Sequence, residues 1–301
     1  MRLKICVAAL LATLLLAARA VSAEEAPRVI AVNHPLQVMA ERLLGDGANV
    51  DFPVPDGVDP SFWRPSIADI SAIQAADLIL LNGAGFASWT TQVSLPRSKL
   101  VNTTRGIEDT LIATETITHS HGDGGTHSHD GTASFTWLDP RLAQAQAQAV
   151  AAALKARGLG DASEIDARLA ALSDDLAALD GLARDTLSGL SDTVFITTHP
   201  RYQYLARAYG LTIFSLEWDA GAAPDAAQLA DLQALVDQSG ARVLIWEAAP
   251  PDEARADVAK LGLQDVVFPP LAQPDGDLPF LQAFEAAVAR LADAADRAGR
   301  G

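Results

Sequence analysis

Short apolar runs that stop abruptly at a polar residue or a turn, each followed by helical periodicity, constrain this chain more than any other feature. The first series is Arg28–Val32, Asn49–Val54, Leu78–Leu81 and Leu100–Asn102, interleaved with helices predicted over Leu36–Leu44 and Ser66–Ala75. The second is Thr193–Thr197, Leu211–Leu216, Ala241–Trp246 and Val266–Phe268, interleaved with helices near Tyr202–Tyr209, Ala226–Ser239 and Asp252–Leu261. Apolar runs of this length are buried on both faces, and their alternation with helices indicates parallel sheets with helical crossovers. Pro35 and the turn Pro55-Asp56-Gly57 end two of the runs.

Between the two series lie an Ala/Gln-rich helix, Arg141–Arg157, and a longer one, Asp161–Leu190. The longer helix carries a heptad-like stripe of Ile165, Leu169, Leu172, Leu176, Leu179, Leu182 and Leu187. A coiled-coil partner is one use of such a stripe. The flanking strand–helix series favour a helix that lies across the body and ties two lobes together. A last helix runs from about Leu278 to Ala298. The expected fold is α/β: two βα lobes with parallel sheets, residues 24–160 and 191–301, joined by one long helix over 161–190, with a cleft between them.

The first 23 residues read as a secretory leader. Arg2 and Lys4 form a basic start, Ile5–Ala18 an apolar core, and Val21-Ser22-Ala23 a small-residue cleavage pattern, so the exported chain is expected to begin after Ala23. The apolar core is short for a membrane span. The only cysteine, Cys6, lies inside this leader, which excludes disulfides, cysteine zinc sites and cysteine nucleophiles from the remainder. Three of the 22 basic residues lie there too, leaving 19 against 38 acidic ones. Such a surface repels nucleic acid and anionic membrane and tolerates cations. The chain is expected to be a periplasmic monomer with no nucleic-acid partner and no membrane insertion after cleavage.

Residues 118–131 hold His119, His121, His127 and His129, four of six histidines, as two His-Ser-His pairs around a Gly-Asp-Gly-Gly spacer. Without evident strand or helix periodicity, the segment is expected to be an exposed mobile loop. Neutral imidazole is a good ligand for transition metals, and an i, i+2 pair in extended chain puts both rings on one side. A polar linker is the ordinary alternative. An expression tag is not, since tags are terminal and uninterrupted.

Open parallel sheets bind ligands beyond the carboxyl ends of their strands. That rule gathers His34, Asp59, Asn82, His199, Glu217 and Glu247. Two histidines and one or two carboxylates suit Zn, Mn or Fe, with His34 of one lobe facing His199 of the other. Each has an ordinary alternative: His34 capping the next helix, Glu217 solvated, Glu247 paired with an arginine or capping a helix. His199 is hardest to dismiss, because Thr-Thr-His-Pro directly follows a buried strand. Trp63, Phe62, Trp89, Trp137 and Trp218 line a cleft for an organic ligand or, more ordinarily, pack the core. No H-E-x-x-H, G-x-S-x-G, Walker loop or G-x-G-x-x-G junction occurs, and Gly83-Ala84-Gly85 lacks the third glycine, so no enzyme is expected.

The order of these pieces resembles the zinc- and manganese-binding solute receptors of bacterial ABC importers, the cluster A-I type, over nearly the whole exported chain. Pro35-Leu36, Gly57-Val-Asp-Pro60 with Trp63-Arg-Pro65-Ser66, Ala76-Asp77-Leu78 with Asn82-Gly83, Trp137-Leu-Asp-Pro140, and Thr198-His199 with Tyr209-Gly210-Leu211 carry the likeness, as does a His-rich loop ahead of Trp137. The resemblance implies a metal in the interlobe cleft and delivery to a membrane permease. It also implies ligand histidines where this chain has Ser61 and Phe135, and an acid near Pro269; only His199 of that set is present.

Three arrangements follow. The site is rebuilt from His199 with His34 and Glu247 or Glu217, completed or not by a loop histidine; or the cleft is weak and the loop is the main capture element; or the cleft holds something else, such as a metal complex. The first is the working expectation, and a pseudo-receptor without cargo is the ordinary alternative to all three. The expected function is periplasmic capture of zinc, with Mn2+ or Fe2+ as other cargo, for an ABC permease. A metal buffer or chaperone, or a receptor for a metal complex, uncoupled from any permease, is the alternative.

Overall fold

The computed structural model describes residues 27–114 and 131–300, with the backbone of 118–121 and 125–128. The predicted leader and its cleavage point lie outside the described residues. The first sheet is formed by β1 (Arg28–Ala31), β2 (Asn49–Asp51), β3 (Leu78–Leu81) and β4 (Leu100–Asn102) in the order β2-β1-β3-β4, every pair parallel. Helices α1 (His34–Leu44), α2 (Ile67–Ala75) and the single turn α3 (Trp89–Gln92) connect them. Ser66 caps α2 through a reciprocal box with Asp69. Gly83, just past β3, has φ +81°, and a Cβ there would fall 2.1 Å from the Asn102 and Thr104 side-chain oxygens. Only glycine serves at that close approach.

The His-rich segment departs from expectation in its backbone. β5 (Thr118–His121) and β6 (Gly125–Ser128) pair antiparallel, with His119 opposite His127 and Ser120 opposite Thr126. An Ala113–Thr132 bridge closes the base. His129 lies outside the described residues.

Helices α4 (Pro140–Ala156) and α5 (Ala162–Leu187) follow. The second sheet comprises β7 (Val194–Thr197), β8 (Thr212–Ser215), β9 (Val243–Trp246) and β10 (Gln264–Val267), parallel throughout in the order β10-β9-β7-β8. Its helices are α6 (Gln203–Tyr209), α7 (Ala226–Ser239) and α8 (Asp252–Lys260), and α9 (Phe280–Gly299) ends the described chain. Strand β10 starts two residues before the predicted apolar run. It lies at a sheet edge, where Asp265 is satisfied by Arg255 and by the indole N–H of Trp246, 3.1 Å away.

Ile165, Leu172, Leu176, Leu179, Ala183 and Leu187 form the buried face of α5, which packs on α4, α1 and α9. Helix α9 turns back from the second lobe to cover α5, α1 and β10. One apolar core therefore runs from Ile30 and Leu80 through Leu172 to Phe268 and Phe284. The lobes are further tied by Trp137 Nε1 donating to the Pro270 carbonyl at 2.8 Å and by His34 N–H donating to the Ala272 carbonyl at 2.9 Å.

Candidate functional site

A cavity of about 480 Å³ opens between the carboxyl ends of the two sheets, with Asp59, Phe62, His199, Arg201, Trp218 and Glu247 among its lining residues. A neighbouring cavity of about 380 Å³ reaches Phe135 and Pro269. Strand β7 delivers His199 to this floor: Thr197 Oγ1 donates to the His199 carbonyl at 3.1 Å, fixing the turn. The imidazole is 3 % exposed, its Nδ1 lies 3.3 Å from the Trp218 carbonyl and 4.0 Å from Glu217 Oε2, and Phe62 presents its ring edge-on.

Two residues on, Arg201 dominates the floor. It is 3 % exposed. Its Nε donates to Glu247 Oε2 at 3.1 Å, Nη1 to Ser61 Oγ at 3.0 Å, and Nη2 to Asp59 Oδ2 at 2.5 Å. The guanidinium carbon lies 4.5 Å from the Phe135 ring centre and 5.4 Å from that of Phe62. Burial works against its charge, but the Asp59 and Glu247 carboxylates outweigh burial and hold its pKa above the ordinary arginine value. Glu247, at the end of β9 and 7 % exposed, is pushed above the usual carboxylate range by burial, with Arg201 pulling the other way. Ser61 and Phe135, where the resemblance implies histidines, thus both touch this guanidinium.

The structure does not bring His199 together with His34 and Glu247 or Glu217 as one metal-holding group. His34 begins α1, outside the cleft lining; its Nδ1 lies 3.3 Å from Gln37 Oε1 and its ring meets Phe280 edge-on. The helix cap there is Asn33, whose side chain accepts from Leu36 N–H. Glu247 is paired with Arg201, the ordinary alternative stated for it. Glu217 lies near His199, with its Oε2 4.0 Å from Nδ1. Asn82 is turned inward, where its Oδ1 accepts from Gln146 Nε2 at 2.9 Å and its Nδ2 donates to the Ser134 carbonyl at 2.9 Å. Among the described residues no group of three or more His, Asp or Glu side chains is placed to hold a metal ion. Arg201 is the site residue that sequence reasoning missed. Its one signal is a fully charged side chain four residues past a buried strand, in Thr-His-Pro-Arg.

A profile of the family described as zinc-uptake complex component A, periplasmic, matches residues 29–294. The chain belongs to this ZnuA family. It is 28 % identical over 227 residues to the high-affinity zinc uptake system protein ZnuA of Bacillus subtilis, covering 73 % of this chain and 70 % of that one. It is also 28 % identical over 228 residues to the zinc-binding lipoprotein AdcA of Streptococcus pneumoniae, covering 73 % of this chain but 44 % of that longer protein. The fold is shared with the metal-dependent lipoprotein YcdH of B. subtilis, at TM-score 0.75 and 22 % identity, covering 89 % of this chain and 98 % of that one. Zn(II)-bound AdcA of S. pneumoniae gives TM-score 0.75 at 21 % identity, covering 90 % of this chain and 58 % of that one.

Two ZnuA-family signatures act structurally here. Trp137 bridges the lobes through Pro270, and Asp139 caps α4 by accepting from Arg141 N–H at 3.0 Å. Asn82 of Asn-Gly joins Gln146, Thr136 and Thr103 in a buried polar network, with Gln146 Nε2 also 2.9 Å from Thr103 Oγ1. Fully satisfied networks of this kind fix one arrangement of the elements around them.

Proposed function

We propose that this chain is the periplasmic zinc-capturing component of an ABC importer, and that the permease of that importer is its partner. The match to the zinc-uptake family over residues 29–294 carries the reading, and the two-lobed fold supports it. It is a transport component, not an enzyme. His119, His121, His127 and His129 are the residues that take zinc from solution: they are four imidazoles in eleven residues, while the cleft offers one histidine beside a carboxylate at 4.0 Å. Neutral imidazole suits Zn2+, and also takes Mn2+ or Fe2+ less selectively. The two lobes, tied by α5 and a shared core, form the rigid body that docks on the permease as a monomer, after leader cleavage near Ala23.

Titration calorimetry of the unaltered chain with zinc and manganese tests this, together with zinc-limited growth of cells carrying a chromosomal deletion of its gene. Tight zinc binding and a growth defect relieved by added zinc are expected. A chain that binds no zinc, or a deletion with no zinc phenotype, contradicts the reading.

A further inference from the structure

The floor of the cleft already holds a cation belonging to the chain. Arg201 stands between carboxylates of both lobes, Asp59 from the first and Glu247 from the second, with Ser61 Oγ as third acceptor and Phe135 and Phe62 against its faces. Resting on zinc as the cargo proposed above, we infer that Arg201 is the specificity residue of the cleft: its guanidinium takes the place and the carboxylates that a bare divalent ion needs, and so bars such an ion from the interlobe site.

Three observations carry this. First, the anionic groups are engaged. Glu247 and Asp59 are the carboxylates that meet at the floor from opposite lobes, and both pair with Arg201 at 3.1 and 2.5 Å. A divalent ion reaching either would face a buried positive charge in a medium that screens poorly. Second, the guanidinium cannot step aside. Arginine does not deprotonate in proteins, whereas a histidine or lysine in this position could release its proton as metal bound. It is 3 % exposed, with an aromatic ring at 4.5 Å, so displacing it would open the packing between the lobes and leave carboxylates unpaired. Third, among the described residues no three His, Asp or Glu side chains are placed together to hold a metal ion, which falls short of the three protein ligands that a zinc site ordinarily has.

The test uses the full chain with His119, His121, His127 and His129 all replaced by Asn, with and without Arg201→Met. Methionine keeps much of the side-chain volume and removes the charge. Zinc chloride alone is the probe, read by titration calorimetry and by the zinc dependence of the melting temperature. The four-asparagine chain should show no one-to-one zinc site. Adding Arg201→Met should create one, with zinc affinity raised at least about tenfold and a melting temperature that now rises with zinc. Adding Glu247→Gln to that variant should remove the gain.

A one-to-one site already present in the four-asparagine chain and abolished by His199→Ala would overturn the inference. So would an Arg201→Met protein that folds and gains no zinc binding. If Arg201→Met does not fold, the four-asparagine chain decides alone: bound zinc refutes the exclusion, and its absence upholds it. Failure of the proposed function reads differently, as an unaltered chain that binds no zinc at all.

Discussion

The cleft floor and the His-rich segment are opposite solutions to holding charge. At the floor, Arg201, Asp59 and Glu247 compensate one another within the fold, and each partner was recruited from a different part of the chain. Residues 118–131 instead concentrate imidazoles in one short stretch in which β5 and β6 pair with each other. A self-compensated site contributes rigidity and has little to offer a diffusing cation. A local cluster of imidazoles has the chemistry to take a metal ion. On the function proposed above, a binding-protein fold is kept while the element that meets the cargo lies in a separate segment.

The widest gap between the two regions should appear in stability. Arg201→Met should lower unfolding free energy by about 3–5 kcal/mol, mostly through the stranded Glu247, since Asp59 is over a third exposed. The four-asparagine variant should unfold at the same urea concentration as the unaltered chain. Equal urea midpoints for both variants would erase the contrast. Leu172→Ala, on the buried face of α5, should cost about 2–5 kcal/mol through a cavity in the core shared by the lobes. Zinc affinity should not follow it; a parallel loss of affinity would show that the zinc site depends on lobe packing.

The zinc site itself should respond to acid. Imidazoles with ordinary pKa values near ~6.5 lose their ligand form below it, so zinc affinity should weaken at least about tenfold between pH 7.5 and 5.5. Affinity unchanged across that range in calorimetry would argue against imidazole ligation.

The smallest effect belongs to His34, outside the cleft. Burial lowers its pKa, with the Gln37 contact partly opposing. The folded chain therefore favours neutral His34, and this contribution is present above the unfolded pKa and lost as pH falls through the lowered folded value. His34→Gln should lose less stability than the unaltered chain between pH 7.5 and 5. Identical pH profiles in urea unfolding would mean that His34 titrates alike folded and unfolded.

The sheets were legible because buried parallel strands are continuous apolar runs, and Val243–Trp246 or Leu78–Leu81 admit few other readings. The α5 stripe was legible through its period. The site was legible only in part. His199 and Glu247 were placed at strand ends that do meet in one cleft, because strand-end position is a local property. Arg201 was not, since its role depends on Ser61, Asp59, Phe135 and Glu247, separated from it by 46 to 142 residues for its hydrogen-bond partners. No spacing rule encodes that convergence. His34 and Asn82 shared the same strand-end signature as the cleft residues, yet α9 and Gln146, both distant in sequence, drew them elsewhere. The strand pairing at 118–128 was missed because the histidines and glycines there carry no apolar alternation.

One measurement bears most directly on the central claim that capture resides in the His-rich segment and not at the cleft floor. Zinc titration calorimetry would compare the unaltered chain, the four-asparagine variant and His199→Ala. The account predicts that the four-asparagine variant loses tight zinc binding while His199→Ala retains it with unchanged stoichiometry. Loss of the tight site in His199→Ala, with the four-asparagine variant binding as before, would contradict it and return the metal to the cleft.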